Sequence, residues 1–571
     1  METVRITGSE VLMRALQDEG VETIFGYPGG AIMPVYDVLY DYTQGEKKVF
    51  DHILVRHEQA AAHAAEGYAR VSGKVGVALV TSGPGATNTL TGVADAMMDS
   101  TPIVVIAGQV PISALGTDAF QEVDLVGVSQ PISKWSYQIR RAEDIAWAVS
   151  RAFYIAKSGR PGPVVLDFSK NAQLETVEYK PSKAHFVRSY VPYPVLDKES
   201  VRKAAELINN AEKPLALVGQ GVELGDAHEE LRAFLEKADI PAGCTMMGLS
   251  ALSCEHPLNM GMLGMHGNYA PNKKEQECDV LIAIGMRFSD RVTGNLKTYA
   301  KQAKIIHLDI DRSEIDKNVK TDVAVIADCK ESLPAITALL EEKHREEWKA
   351  SFNSLKEQEI EKVIEPAIHP KGGQLLMGEV VNQVAEISKG EAIIVTDVGQ
   401  NQLFSTRYSH FVNKRSLCTS GGLGTMGYGM PAAIGATYGD PSRKVVCFMG
   451  DGGFQMCIEE LGTIMEFERP VKMVMLNNHY LGNVRQWQDM FFNSRQSFTK
   501  MRNPKYELIS EAYKIPYELV YEREQLAPAV KRMLQAPGAY VLECIIKNED
   551  NILPMTPPGC DVDDMMLEIQ V

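Results

Sequence analysis

The residues of this 571-residue chain best suited to chemistry lie within 445–488. An apolar run at 445–449 ends in Gly450-Asp451-Gly452, a second at 471–476 ends in Asn477-Asn478, and 24 residues separate the two signatures. A carboxylate and a carboxamide oxygen at neighbouring strand ends, beside a helix N-terminus of small residues, can hold a hard divalent cation and the diphosphate it neutralises. A bare G-D-G is ordinarily a tight turn, so the full spacing is what points to the cation. The second candidate is Glu58, which opens an Ala-rich helix directly after a strand in DHILVRHEQAAAHAAEGYAR (51–70). Such an acid commonly does no more than stabilise the helix dipole. In apolar surroundings its carboxyl can instead share a proton.

Particular elements must position these groups. Two buried-strand runs, separated by a helical period and the break at Pro470, make a βαβ unit whose strand ends point the same way, which puts Asp451 and Asn478 on one edge. Residues 1–180 alternate similarly, with apolar strands at 24–29, 75–85, 102–108 and 163–168. The unit from Gly83-Pro84-Gly85 to Pro102 echoes that from Gly450 to Pro470, so similar domains are expected at both ends. A Pro-rich aperiodic stretch at 172–198 reads as a linker. Middle strands follow at 215–219, 280–285 and 304–311. Gly219-Gln220-Gly221, directly after the first of them, suits the approach of backbone to a pyrophosphate. The charge run within 341–374 reads as a solvated helical connector. The predicted fold is α/β with three doubly wound parallel-sheet domains at 1–180, 199–340 and 375–548, and an acidic, Pro-broken tail at 549–571.

Composition narrows the function. A formal net charge of −16 argues against a non-specific grip on nucleic acid. No apolar run reaches the ~20 residues of a membrane helix, and the tail is unsuited to an anionic membrane surface. The N-terminus shows no secretory or organellar leader, so a cytoplasmic protein of bacterial origin is expected. The nine cysteines include no CxxC pair and sit mostly in apolar segments, which predicts buried thiols in a reducing compartment without zinc or disulfides.

GDG followed by NN at this separation resembles the signature of thiamine-diphosphate enzymes. The resemblance sharpens in FGYPGGA (25–31), RHEQAAAHAAEGYAR (56–70), TSGPGATN (81–88), AFQEVD (119–124), SGRPGPVVLD (158–167), GMLGMHG (261–267), GGLGTMGYGMPAA (421–433) and VRQWQ (484–488). Together these are similar to the catalytic subunits of the acetolactate synthase family over nearly the whole chain. The resemblance implies a pyrimidine-binding first domain, a central FAD-binding domain and a diphosphate-binding third domain, with thiamine diphosphate, Mg2+ and FAD as cofactors. It implies cofactor sites shared between the first domain of one subunit and the third of another, hence a homodimer or dimer of dimers, and a small regulatory subunit as partner. The implied reaction decarboxylates pyruvate and joins the remaining two-carbon unit to a second pyruvate or to 2-oxobutyrate, on the route to valine, leucine and isoleucine.

Carried over by position, Asp451, Asn478 and the carbonyl of Tyr480 bind Mg2+. Glu58 hydrogen-bonds the pyrimidine and so assists loss of the thiazolium C2 proton. Met426 props the bent cofactor, which Val398, Gly399, Gln400, Asn401, Gly424, Gly452 and Gly453 contact. Gln121, Lys170 and His266 help place substrates, and Trp487 favours the larger 2-oxobutyrate acceptor. For FAD the matching positions are Arg160, Gly219, Gly221, Thr245, Met246 and Gly264, then Met265, His266, Arg287, Asp309 and Asp328. Arg291 falls at the substrate channel, and the flavin does no net redox in the family. Three positions depart from the usual pattern: Ser289 in MRFSDR (286–291) replaces Asp, Asn401 a frequent His and Asn483 a frequent Met. Taken singly, Trp487 and Met426 read equally as core residues, and Gln121 and His266 as loop residues.

Three rivals compete with this reading. An FAD-dependent pyruvate oxidase in membrane-coupled form should end in an amphipathic helix, which this tail is not. A flavin-free catabolic acetolactate synthase is opposed by RFSDR and the G-x-G turn. Retention of Glu58, Gln121, Asp451 and Asn478 together opposes a non-catalytic scaffold.

Overall fold

The computed structural model describes residues 5–45 and 48–569, so the outermost residues of the first expected domain and of the tail, together with residues 46 and 47, lie outside the described residues. Three six-stranded parallel sheets form the framework. The first uses Thr23–Gly26, Asp51–Leu54, Gly76–Val80, Ile103–Gln109, Trp135–Ile139 and Val164–Ser169, in spatial order 2-1-3-4-6-5. The third uses Ile393–Thr396, Leu417–Cys418, Val445–Gly450, Val471–Asn477, Tyr517–Val520 and Tyr540–Ile545 in the same order. The middle sheet differs. Its strands Pro214–Val218, Ala242–Cys244, Asn259–Met262, Val280–Ile284, Lys304–Asp309 and Val323–Ile326 take the order 3-2-1-4-5-6. Central strands are buried along their whole length, as both-face helix cover demands of a parallel sheet.

The inner faces of the first and third sheets share one apolar cluster, in which Phe25, Val80 and Val105 join Val395, Met449 and Met473. Two helices seal it: Glu58–Ser72 from the first domain and Gly429–Gly439 from the third. Their backbones touch, since a Cβ on Gly67 would lie 2.0 Å from the Ala432 carbonyl oxygen and one on Gly435 would lie 1.8 Å from that of Ala64. Only glycine permits this approach.

The stretch 341–374 departs from a solvated connector. It breaks into short helices, Glu346–Ala350 and Asn353–Glu359 with a π-helical turn at Ile360–Ile364, and Trp348 and Phe352 pack into the middle core. Buried Glu359 accepts from Asn268 Nδ2 at 3.0 Å and pairs with Arg407, tying the middle domain to the third. The tail likewise packs down: Ile552, Met555 and Val562 are buried, and the Thr556 amide donates to the Met265 carbonyl at 2.8 Å. The nine cysteines are free thiols, seven of them buried, with Cys254 exposed. Among the described residues no helix is long and apolar enough to cross a membrane.

Candidate functional site

Doubly wound sheets bind ligands at the carboxyl ends of the strands where the strand order reverses. In the third domain that point lies between the strands Ile393–Thr396 and Val445–Gly450, which run directly into Asp397-Val398-Gly399 and Asp451-Gly452-Gly453. Asp451 is fully buried. Its Oδ2 accepts from Asn503 Nδ2 at 2.7 Å, while Oδ1 has no hydrogen-bond partner. Burial pushes its carboxyl up to about 6, the cost of holding an anion away from water. A buried carboxylate oxygen without a donor suits a hard cation, which supplies the missing charge. On the adjacent strand end, Asn478 Oδ1 accepts from the Tyr480 amide at 3.1 Å and Nδ2 donates to Gln400 Oε1 at 3.3 Å. His479 between them holds φ at +58°, a left-handed turn that folds Tyr480 back over Asn478.

The surrounding residues form a close cradle. A Cβ on Gly453 would lie 2.3 Å from Asp397 Oδ1, and one on Gly452 would lie 2.8 Å from Leu481 Cδ2 and 3.5 Å from Met426 Cε. Asn401 Nδ2 donates to the Val398 carbonyl at 3.2 Å and leaves its own Oδ1 unpartnered. Asp397, fully buried, accepts from the amides of Val398, Gly427 and Gly429 and so fixes the loop that carries Gly424 and Met426. Motif reading passed over both Asp397 and Asn503. Asp397 stands beside the singled-out Val398, whereas nothing local marks Asn503.

The first-domain candidates gather at the carboxyl edge of their own sheet. Glu58 is half-buried and its Oε2 accepts from Asn88 Nδ2 at 2.9 Å. Asn88 lies inside the TSGPGATN stretch, yet only its contact reveals it. Gln121 sits in a loop at φ +61°, its backbone packed on Gly83. Lys170 Nζ approaches the Gly30 carbonyl at 3.4 Å.

A cavity of about 890 Å³ opens where the three domains meet. It collects Arg160 from the first domain and Gly221, Thr245, Met246, Met265, His266, Arg287, Asp309 and Asp328 from the middle. Val398, Gly399, Gly424, Asn483 and Trp487 complete it from the third. Gly219 and Gly264 stand behind this wall. A Cβ on Gly219 would lie 2.2 Å from the Gly285 carbonyl oxygen, so the G-x-G turn packs against the end of the neighbouring strand. Arg160 pairs with Glu314 at 2.6 Å and Asp311 at 3.2 Å. Burial, with the charges of Arg407 and Arg291, holds His266 down to about 4, so it is a neutral imidazole. Asn483 Oδ1 and Trp487 Nε1 are buried without partners in the same wall, ready for a polar ligand. Neither Glu58 nor Asp451, Asn478 and Met426 line this cavity.

Comparison with known proteins agrees with this division. Family models described as thiamine pyrophosphate enzyme N-terminal TPP binding domain, central domain and C-terminal TPP binding domain match residues 6–128, 201–336 and 397–544. The chain is 41% identical over 562 residues to the acetolactate synthase isozyme 2 large subunit of Escherichia coli (strain K12), covering 98% of this chain and 99% of that protein. It is 44% identical over 564 residues to the acetolactate synthase large subunit of Parasynechococcus marenigrum (strain WH8102), covering 97% and 90%. To a probable acetolactate synthase large subunit of Methanocaldococcus jannaschii it is 42% identical over 578 residues, covering 99% and 96%. With all three domains matched and relatives alike from end to end, the chain belongs to the acetolactate synthase large-subunit family of thiamine pyrophosphate enzymes.

Proposed function

We propose that this chain catalyses the decarboxylating condensation of two pyruvate molecules to 2-acetolactate and carbon dioxide, or of pyruvate with 2-oxobutyrate to 2-aceto-2-hydroxybutyrate. The observation that carries the reading is the unpartnered, buried Asp451 Oδ1 at the third domain's switch point. With Asn478 and the Tyr480 carbonyl it would hold Mg2+ and, through it, the cofactor's diphosphate. Thiamine diphosphate supplies, when bound, a carbon acid that stabilises the negative charge left by decarboxylation.

The residues divide the work. Glu58 Oε2 is held by Asn88, which leaves Oε1 to share a proton with the pyrimidine ring. Met426, whose Cε lies 3.5 Å from where a Cβ on Gly452 would stand, would support the bound cofactor, and Gln400 and Asn401 would lie beside its diphosphate. Around the cavity, Arg160, Arg287, Asp309 and Asp328 would hold FAD as a structural group. Neutral His266, with Gln121 and Lys170, orients the oxoacids, and Trp487 packs against the acceptor. As the family resemblance implies, the acid would serve the third domain of a second copy in a homodimer or dimer of dimers. The relatives' designation as large subunits supports a small regulatory partner, and a biosynthetic role supports a cytoplasmic location. The test is release of carbon dioxide and acetolactate from pyruvate by purified protein, with thiamine diphosphate, Mg2+ and FAD omitted in turn. Turnover that persists without thiamine diphosphate sinks the reading.

A further inference from the structure

Glu460 is fully buried in the third domain, nine residues beyond Asp451, and its carboxylate leaves that domain to act on the first. Oε1 accepts the backbone N–H groups of Arg56 at 2.8 Å and His57 at 3.0 Å, and Oε2 accepts from Thr463 Oγ1 at 2.6 Å. The next residue is Glu58. The same segment grips the turn a second time: Arg56 donates to the Gly462 carbonyl at 3.3 Å and pairs with Glu466, and Thr463 Oγ1 also reaches the Leu54 carbonyl at 3.3 Å. One carboxylate oxygen shared by two successive amides fixes the backbone of both residues. The helix Glu58–Ser72 therefore starts from a point set by the third domain, and its first side chain leaves in a set direction. Burial raises the Glu460 carboxyl to about 7, an expense that an exposed cap would avoid.

We infer that Glu460 is a positioning residue that aims Glu58, so that the segment bearing the candidate cation ligand also sets the candidate proton-sharing acid. This rests on the proposed role of Glu58. Three holoenzyme variants test it by the rate of deuterium exchange at C2 of bound thiamine diphosphate, a readout that a purely structural residue does not move per folded site. Glu460→Gln keeps an oxygen that accepts both amides and is expected to exchange within about threefold of the parent. Glu460→Asp keeps the charge but withdraws the oxygen by one C–C bond, about 1.5 Å. A shift of that size is worth about 100-fold in a positioned proton transfer, and cofactor affinity should stay within about threefold. Glu58→Gln is the control and should lose exchange. The inference is overturned if Glu460→Asp exchanges like the parent while Glu58→Gln does not exchange. It is equally overturned if Glu460→Gln loses as much as Glu460→Asp. Should Glu58→Gln itself exchange normally, the reading of Glu58 fails and this inference fails with it.

Discussion

The first and third domains run the same strand order, yet the turn after the third strand is Gly83-Pro84-Gly85 in one and Gly450-Asp451-Gly452 in the other. In the first domain Pro84 offers no N–H to a ligand. A Cβ on Gly83 would lie 2.9 Å from the Gln121 carbonyl oxygen, so the loop carrying Gln121 packs directly on this turn. In the third domain the equivalent place holds a buried carboxylate with an oxygen to spare. The same topology thus presents two crevices, and the residues at one turn decide which of them suits a cation. The first domain instead offers a single acid at the start of the helix after its second strand.

If the two domains divide the labour this way, removing each acid should give a different kind of loss. Glu58→Gln is expected to cut turnover by about 10²–10⁴ at saturating cofactor, the range of a positioned acid–base group, with cofactor affinity unchanged. Asp451→Asn should act on affinity instead: titrations with Mg2+ and thiamine diphosphate should shift to much higher concentrations, and excess Mg2+ should restore part of the activity. Identical kinetic signatures from the two variants would erase the distinction.

The domains also hold one another. Asp99 of the first accepts the Gly421 and Gly422 amides at 2.8 and 2.7 Å and pairs with buried Arg70 at 2.9 Å. Asp95, one turn earlier, accepts from Ser420 Oγ at 2.8 Å. Asp99→Ala strands a guanidinium and two amides, a loss of about 3–5 kcal/mol. Denaturant unfolding should register it, and an unchanged midpoint would mean that the loop at 420–425 does not depend on the first domain.

Much of this arrangement could be read from the chain because its signals are local. The GDG-to-NN spacing and the apolar runs that flank it place Asp451 and Asn478 on one edge, and in the parallel register Gly450 stands opposite Leu476, one residue before Asp451 and two before Asn478. The expected strands at 75–85, 102–108 and 280–285 appear as Gly76–Val80, Ile103–Gln109 and Val280–Ile284. What escaped notice depends on distant partners. Asn503 lies 52 residues from Asp451 and Glu460 lies 404 from Arg56, separations that carry no periodicity. Short or edge strands such as Leu417–Cys418 and Trp135–Ile139 have too few apolar residues to announce themselves. The charged stretch at 341–374 hid Trp348 and Phe352, because surrounding Lys and Glu outvoted two core aromatics.

The middle domain sharpens the contrast through pH. His266 titrates at about 4 when folded against 6.5 unfolded, so between these values the unfolded chain holds more protons and stability rises with pH. Acidification from 6.5 towards 4 should therefore cost up to about 1.4 kcal/mol per pH unit from this group. In His266→Asn the midpoint of unfolding should fall less steeply over that window. An equal slope in both proteins would show that the cavity does not hold His266 neutral.

The smallest expected effect concerns the third domain's own contribution to choice of substrate. Trp487 is half-buried in the cavity wall, edge-on to Phe491 with ring centroids 5.5 Å apart, and its indole N–H has no partner. If the ring packs against the acceptor, 2-oxobutyrate gains over pyruvate the contact of one added methyl, worth about 1–3 kcal/mol. Trp487→Ala removes that surface without touching Asp451 or Glu58. Competition between the two oxoacids should then fall by about tenfold in its ratio of products, while pyruvate turnover alone changes little. Were turnover to collapse with the ratio intact, Trp487 would belong with the residues that build the site, and discrimination would have to come from elsewhere in the wall.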